Sequence, residues 1–304
     1  MTERLVLNGL QIILVIAIIS MAALYFHELR KAKVNATNRF VPGFLIGLVT
    51  DFGDTLGIGS FATTTALFKV THFLDDDRKL PGTMNAAHAI PVFVEALLFL
   101  TAVKIELTTL IPMTLAAMTG AALGTRITAN WPVRKMQRWL AIALALAAVF
   151  MLIKLVTNPG QGESLAVHGL HGWWLLLGIF VNFGLGILMT IGLGNYTPEL
   201  IFFSLMGVNP LVAFPVMMMD AAMIMMTSAV NFVRTGRVEW RGLPAMIIGG
   251  TVGVIIAAKL VTFVNMTILS YFIVGIALLT AYNLFRDSRK EEPKSLVKKL
   301  SDGK

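Results

Sequence analysis

The sequence predicts an all-α polytopic membrane protein, with seven transmembrane helices plus two re-entrant helical hairpins in two inverted repeats. Three observations carry that expectation. The 304 residues are 56% hydrophobic and 14% charged, whereas a soluble domain holds about 45–50% apolar and about 25% charged residues. Two long apolar stretches are interrupted by glycines and polar side chains, and a series of motifs recurs in order at nearly constant spacing. With a mean hydropathy of +0.77, the chain has too little polar surface for a water-soluble globule, which excludes soluble enzymes, nucleic-acid binders and disordered chains. The absence of cysteine excludes disulfides, thiolate metal sites and thiol nucleophiles.

The first apolar run, 5–26, is longer than the 7–15 residues of a signal-peptide core and has no A-x-A-like cleavage site before the basic cluster, so it reads as a retained span. Later runs at about 85–103, 107–125, 137–156, 210–232, 242–264 and 268–285 each approach the ~20 residues needed to cross ~30 Å of hydrocarbon. Two further stretches, about 42–69 and 172–206, differ. Asp51, Gly53, Asp54, Gly57, Gly59 and Ser60 break the first, and Asn182, Gly184, Gly186, Gly192, Gly194 and Asn195 break the second. Each is too long for one crossing and short for two. Irregular backbone at membrane depth survives only where protein or a wet cavity satisfies it, which fits a hairpin returning to its starting side.

Charge distribution supports that choice. With both stretches returning and the carboxyl terminus inside, the inside segments 27–41, 69–80, 126–138, 233–241 and 286–304 hold 21 of the 25 Lys and Arg residues. The positive-inside rule requires such a bias. If each stretch crossed once instead, the inside total would fall to 16. The expected topology therefore places the amino terminus outside and the tail inside, in the plasma membrane (the inner membrane of a two-membrane bacterium). The net charge of +8 is then a property of cytoplasmic loops.

The two broken stretches resemble each other. Asp51-Phe52-Gly53 recurs as Asn182-Phe183-Gly184 at an offset of 131, and Gly57-x-Gly59-Ser60-Phe61 as Gly192-x-Gly194-Asn195-Tyr196 at 135. Pro81 matches Pro210, and Gly120-x-x-x-Gly124 matches Gly249-x-x-x-Gly253, both at 129. An ordered series of this kind marks duplication. The expected layout is an added helix and loop at 1–40, a first repeat at 41–157, a second of opposite orientation at 172–286, and a cytoplasmic tail at 287–304. Inverted repeats with discontinuous helices are a build of secondary transporters, whose substrate sites lie near the midplane. The Gly-x-x-x-Gly pairs read as close helix packing.

Thr197-Pro198-Glu199 reads as a helix start, and Ser60 or Thr63 as a cap on the helix running to Phe68. Free N–H groups at two such starts near mid-membrane would form an anion site without Lys or Arg. The substrate-binding candidates are Gly57, Gly59, Ser60, Thr63, Asn182, Gly192, Gly194, Asn195, Tyr196 and Thr197. Intramembrane acids are costly and usually functional, so Asp51, Asp54 and Asp220, with His88, are candidates for coupling transport to a proton or cation. A cation or metal permease using Asp51, Asp54 and His88 is the alternative function. A hydrolase with Ser60 as nucleophile and His88 as base lacks the context of a nucleophile elbow. No catalytic residue, resident metal or cofactor is expected. The expected partners are a small anionic substrate and the lipid bilayer, with no nucleic acid; homo-oligomerisation is left open.

The segment from Gly47 to Ser60, the Gly194-Asn195-Tyr196-Thr197-Pro198 segment and the paired Gly-x-x-x-Gly helices together resemble the TauE/SafE family of membrane permeases, also called sulfite exporters. The resemblance covers about 40–286. It implies export of sulfite or small organosulfonates and carboxylates across the plasma membrane. Ser60-Phe61 and Asn195-Tyr196 stand where the commoner family ending has glycines.

Overall fold

Eleven helices follow one another among the described residues: α1 (Thr2–Ala32), α2 (Phe40–Thr55), α3 (Ser60–Val70), α4 (Leu80–Ala102), α5 (Leu107–Ile127), α6 (Val133–Thr157), α7 (Gly172–Met189), α8 (Tyr196–Leu205), α9 (Pro210–Arg234), α10 (Leu243–Val261) and α11 (Met266–Arg289). The structure, a computed structural model, describes residues 2–289 apart from 36, 58, 77–78, 104, 128–132, 158–167, 191–192, 209 and 262–265. Most of the expected tail therefore lies outside the described residues.

Among the described residues six helices are long and apolar enough to cross a membrane: α1 and α4, most of α5, α7, and most of α9 and α10. The expected count was seven. Here α6 and α11 have 25 and 24 residues, about 37 and 36 Å at 1.5 Å per residue, but part of their side chains lies outside the described residues. Conversely, α7 reaches span length by itself, although 172–206 was expected to begin with a short hairpin arm. Two of its internal glycines, Gly178 and Gly186, are packing sites, whereas Gly184 faces open space. Gly186 lies against the Ala117 carbonyl of α5, where a Cβ would collide. Such close backbone approach offsets the roughly 1 kcal/mol that glycine costs within a helix.

The glycine-mediated contacts come in two sets. α2 packs along α10, and α5 along α7. A Cβ on Gly47 of α2 would strike the Met246 carbonyl oxygen, and one on Gly120 of α5 the Phe183 carbonyl oxygen. The packing role expected of the Gly-x-x-x-Gly pairs is thus the one they serve. Between these pairs, α4 packs on α9, while α6 packs on α11. α4 and α9 are the most enclosed spans and carry His88, Glu95 and Asp220 into the interior. α1 touches α4 with Leu14, Met21 and Tyr25 buried, and leaves Leu5, Ile12, Ile16 and Ile19 exposed.

Both broken stretches contain the expected interruption. Residues 56–59 separate α2 from α3, and 190–195 separate α7 from α8. In the first break, Gly57 and Gly59 have φ of +88° and +83°, a region that glycine enters without steric cost. Arg39, just before α2, pairs with Asp75, just after α3, at 2.8 Å, so the chain leaves this pair at the end where it entered. Arg241 also reaches Asp75, and Lys79 reaches Glu239 at 3.3 Å. Segments 27–41, 69–80 and 233–241 therefore share one end of the bundle. At another position, Glu106 meets His171 at 3.1 Å, joining segments 104–106 and 154–171.

Candidate functional site

The two breaks come together against α11 around a cavity of about 130 Å³, room for a few waters or one small ion. Gly59 and Thr63 line it from the first break, Gly194, Tyr196 and Thr197 from the second, and Thr280, Asn283 and Asp287 from α11. Five of the sequence-derived substrate candidates thus meet at one place. Among the described residues no Lys, Arg or His lines it; hydroxyl, amide and backbone groups are its donors. A larger groove, about 880 Å³, lies on the outer faces of α5 and α7. It is walled by exposed Leu115, Trp173, Leu176 and Phe180 and offers a ligand almost no polar partner.

The α11 residues were missed in the sequence. Thr280, Asn283 and Asp287 recur at helical spacing on one face of a span, and that stripe was the available signal. The helix starts also differ in detail from expectation. α8 begins at Tyr196 after Asn195, without a side-chain cap, and the Thr197 hydroxyl faces Thr280 Oγ1 at 3.5 Å. α3 begins at Ser60, whose N–H donates to Asp54 Oδ1 at 2.6 Å. A carboxylate from the preceding helix therefore occupies one donor expected to face an anion. Ser60 is buried, as is Gly57's neighbour Leu200. Gly192 lies outside the described residues.

The remaining candidates form two buried polar clusters. In the first, His88 Nδ1 lies 2.9 and 3.0 Å from the two Asp51 oxygens, and Nε2 lies 2.8 Å from Thr64 Oγ1. His88 and Thr64 are wholly enclosed, and Asp51 and Asp54 nearly so. The sequence singled out Asp51, Asp54 and His88, while the partnership of Thr64 was not foreseen. The histidine faces Thr64, so Ser60 does not receive the base that a Ser60 hydrolase would need. Among the described residues no three His, Asp or Glu side chains converge as a metal site.

In the second cluster, the Asn182 amide donates to Glu199 Oε1 at 3.3 Å and to Asp220. Asn195 Nδ2 donates to Glu199 Oε2 at 2.9 Å and to the Met217 carbonyl at 3.1 Å. Thr114 Oγ1 donates to Asp220 Oδ1. Asn182 and Asn195, expected at the substrate, therefore sit behind the cavity, holding acids. Glu199, read from sequence only as a favourable first-turn residue, is a central member. A third contact joins α8 to α4: the Tyr196 hydroxyl donates to Glu95 Oε2 at 3.1 Å, linking the cavity wall to the core.

A bundle of apolar helices, two of whose interruptions enclose a small polar cavity, is the build of a membrane transport protein. The family model described as Sulfite exporter TauE/SafE matches residues 2–151 and 166–302. The chain belongs to that family of transporters, and is accordingly a multi-pass membrane protein. No curated relative and no solved structure matched it significantly.

Proposed function

We propose that this protein is a secondary transporter that exports small oxyanions, such as sulfite or organosulfonates and carboxylates, with movement coupled to protons or another cation. The observation that carries this reading is the cavity between the two breaks, small and lined by neutral donors, with Asp287 the one acid in its described lining. Neutral donors hold an anion without the deep trapping that a fixed cation would impose. Family membership points the same way.

The alternating mechanism would rest on two inverted repeats, 41–157 and 172–286, seven spans and two re-entrant pairs. Reciprocal packing supports this: the first helix of each repeat lies along the glycine-rich helix of the other, α2 with α10 and α7 with α5. In this reading the basic end joined by Asp75 is cytoplasmic, the amino terminus is outside and the membrane is the plasma membrane. A reporter within 69–80 should then read inside and one at 206–210 outside; opposite labelling at either loop rejects the topology.

Asp51, Asp54, His88 and Asp220 are the coupling groups in this reading. A carboxylate near an anion repels it more strongly at low dielectric than in water, so a cation must accompany the substrate past them. The deciding measurement is flux through purified protein in liposomes. Sulfite and sulfoacetate should exchange, with sulfate and divalent cations as comparisons. Transport of divalent cations without sulfite would instead select the cation permease.

A further inference from the structure

We infer that Glu199 and Asp220 form a binding site for one proton, which travels with the substrate anion; the inference rests on the transport reading above. Both carboxyl groups are enclosed, with exposures of 0% and 1%, and both accept from the one Asn182 amide nitrogen, which sets them side by side. Two ionised carboxylates have no hydrogen to share, because each is an acceptor only. Two enclosed like charges around one amide repel strongly, so holding them there requires a proton on one.

The surroundings reinforce the assignment. The donors reaching the pair are neutral: Asn182, Asn195 and Thr114. Acceptors outnumber donors, because Asn182 Oδ1 and Asn195 Oδ1 are also buried without a hydrogen-bond partner, and the Met217 carbonyl takes part of the Asn195 amide. A site short of hydrogens, at a place water does not reach, is completed by a proton. Both asparagines are anchored on Glu199, so their unpartnered oxygens border the same pocket of acceptors.

Among the described residues, the helices packed against α9 supply no ion pair to either acid. α5 over Leu107–Gly124 and α7 carry no titratable side chain. α8 brings Glu199 and Tyr196, α4 brings His88 and Glu95, and α11 brings Tyr271, Tyr282, Arg286, Asp287 and Arg289. His88 is engaged by Asp51 and Thr64, Tyr196 by Glu95, and Arg286 by Asp287 at 3.5 Å.

On binding, one carboxylate oxygen gains H⁺ and donates to the other carboxyl group. On release, the proton leaves and the two carboxylates repel. Asn195 immediately precedes α8, and its neighbours Gly194 and Tyr196 line the cavity. Separation of Glu199 from Asp220 would therefore move the cavity wall.

The test uses the full chain reconstituted in liposomes. Difference infrared spectra across a pH jump, with no substrate present, should show a carboxylic-acid band that disappears in both Glu199→Gln and Asp220→Asn. Proton-gradient-driven sulfite accumulation should fall at least tenfold in each variant, with partial recovery in Asp220→Glu. Because the infrared signal needs no sulfite, a wild-type protein that fails to move sulfite leaves the proton site testable. If either isosteric variant does not fold, Thr114→Val, which removes one donor from Asp220, must shift the band. An unchanged band in the variants overturns the assignment. So does heat stabilisation of wild type by sodium ions that both variants lose, which would make the site a sodium site.

Discussion

The two polar clusters draw on residues at matching intervals along the sequence yet carry different chemistry. Asp51, Thr64 and His88 in the first correspond by position to Asn182, Glu199 and Asp220 in the second, at offsets of 131, 135 and 132. In the first, a carboxylate is held by a histidine that a threonine also contacts. In the second, an amide stands where the carboxylate was, and two acids stand where the hydroxyl and the base were. An Asp–His pair contains its own proton donor, whereas an acid pair held by amides must take a proton from outside. Positions that recur at a nearly constant offset therefore need not share a role. One cluster can hold its charge internally while the other gains and loses it.

The largest expected effect comes from taking the base out of the first cluster. His88→Ala leaves Asp51 buried without its partner, and breaking a buried pair in this way costs about 3–5 kcal/mol. Thermal unfolding in detergent should show that loss, and a variant as stable as wild type would mean Asp51 was never charged against His88. In the second cluster, Asn182→Asp removes the amide donor shared by Glu199 and Asp220. Leaving buried acceptors unsatisfied should cost about 1–3 kcal/mol, and raising the proton concentration should recover part of it. No recovery at low pH would remove the distinction between the clusters.

The two breaks can be compared as well. Gly194 has ordinary backbone and open space for a Cβ, so Gly194→Val should intrude on the cavity and lower sulfite transport roughly tenfold, about 1.4 kcal/mol, at normal expression. Gly59 also has open space but a φ of +83°, so Gly59→Val should reduce folded yield before transport is considered, at a strain of about 1–3 kcal/mol. Equal behaviour of the two variants would mean that the breaks are not specialised. The smallest effect belongs to Thr64→Val, which deletes one hydroxyl contact to His88 at about 1 kcal/mol. A loss as large as that of His88→Ala would make Thr64 indispensable to the relay.

Much of the site was legible because intramembrane polar residues are few and conspicuous. Gly59, Thr63, Gly194, Tyr196 and Thr197 were recognisable from their glycine-rich context, and they do line the cavity. Asp51, Asp54, His88 and Asp220 were recognisable by the cost of burying them. Ser60, Asn182 and Asn195 were recognised as polar, but the sequence did not show that a carboxylate engages each of them.

The sequence by itself determined that the protein lives in a membrane, where its apolar helices fall, that two of its stretches are broken, and which end is basic. Those are consequences of composition and periodicity, which are local properties of the chain. Tertiary structure decided who meets whom: His88 with Asp51 across 37 residues, Asp220 with Asn182 across 38, Tyr196 with Glu95 across 101, and Thr280 with Thr197 across 83. Helical periodicity reports which face of a helix is buried but not which helix lies against it. In an interior without water each polar group must nevertheless find a partner, and only the packing of distant segments supplies one.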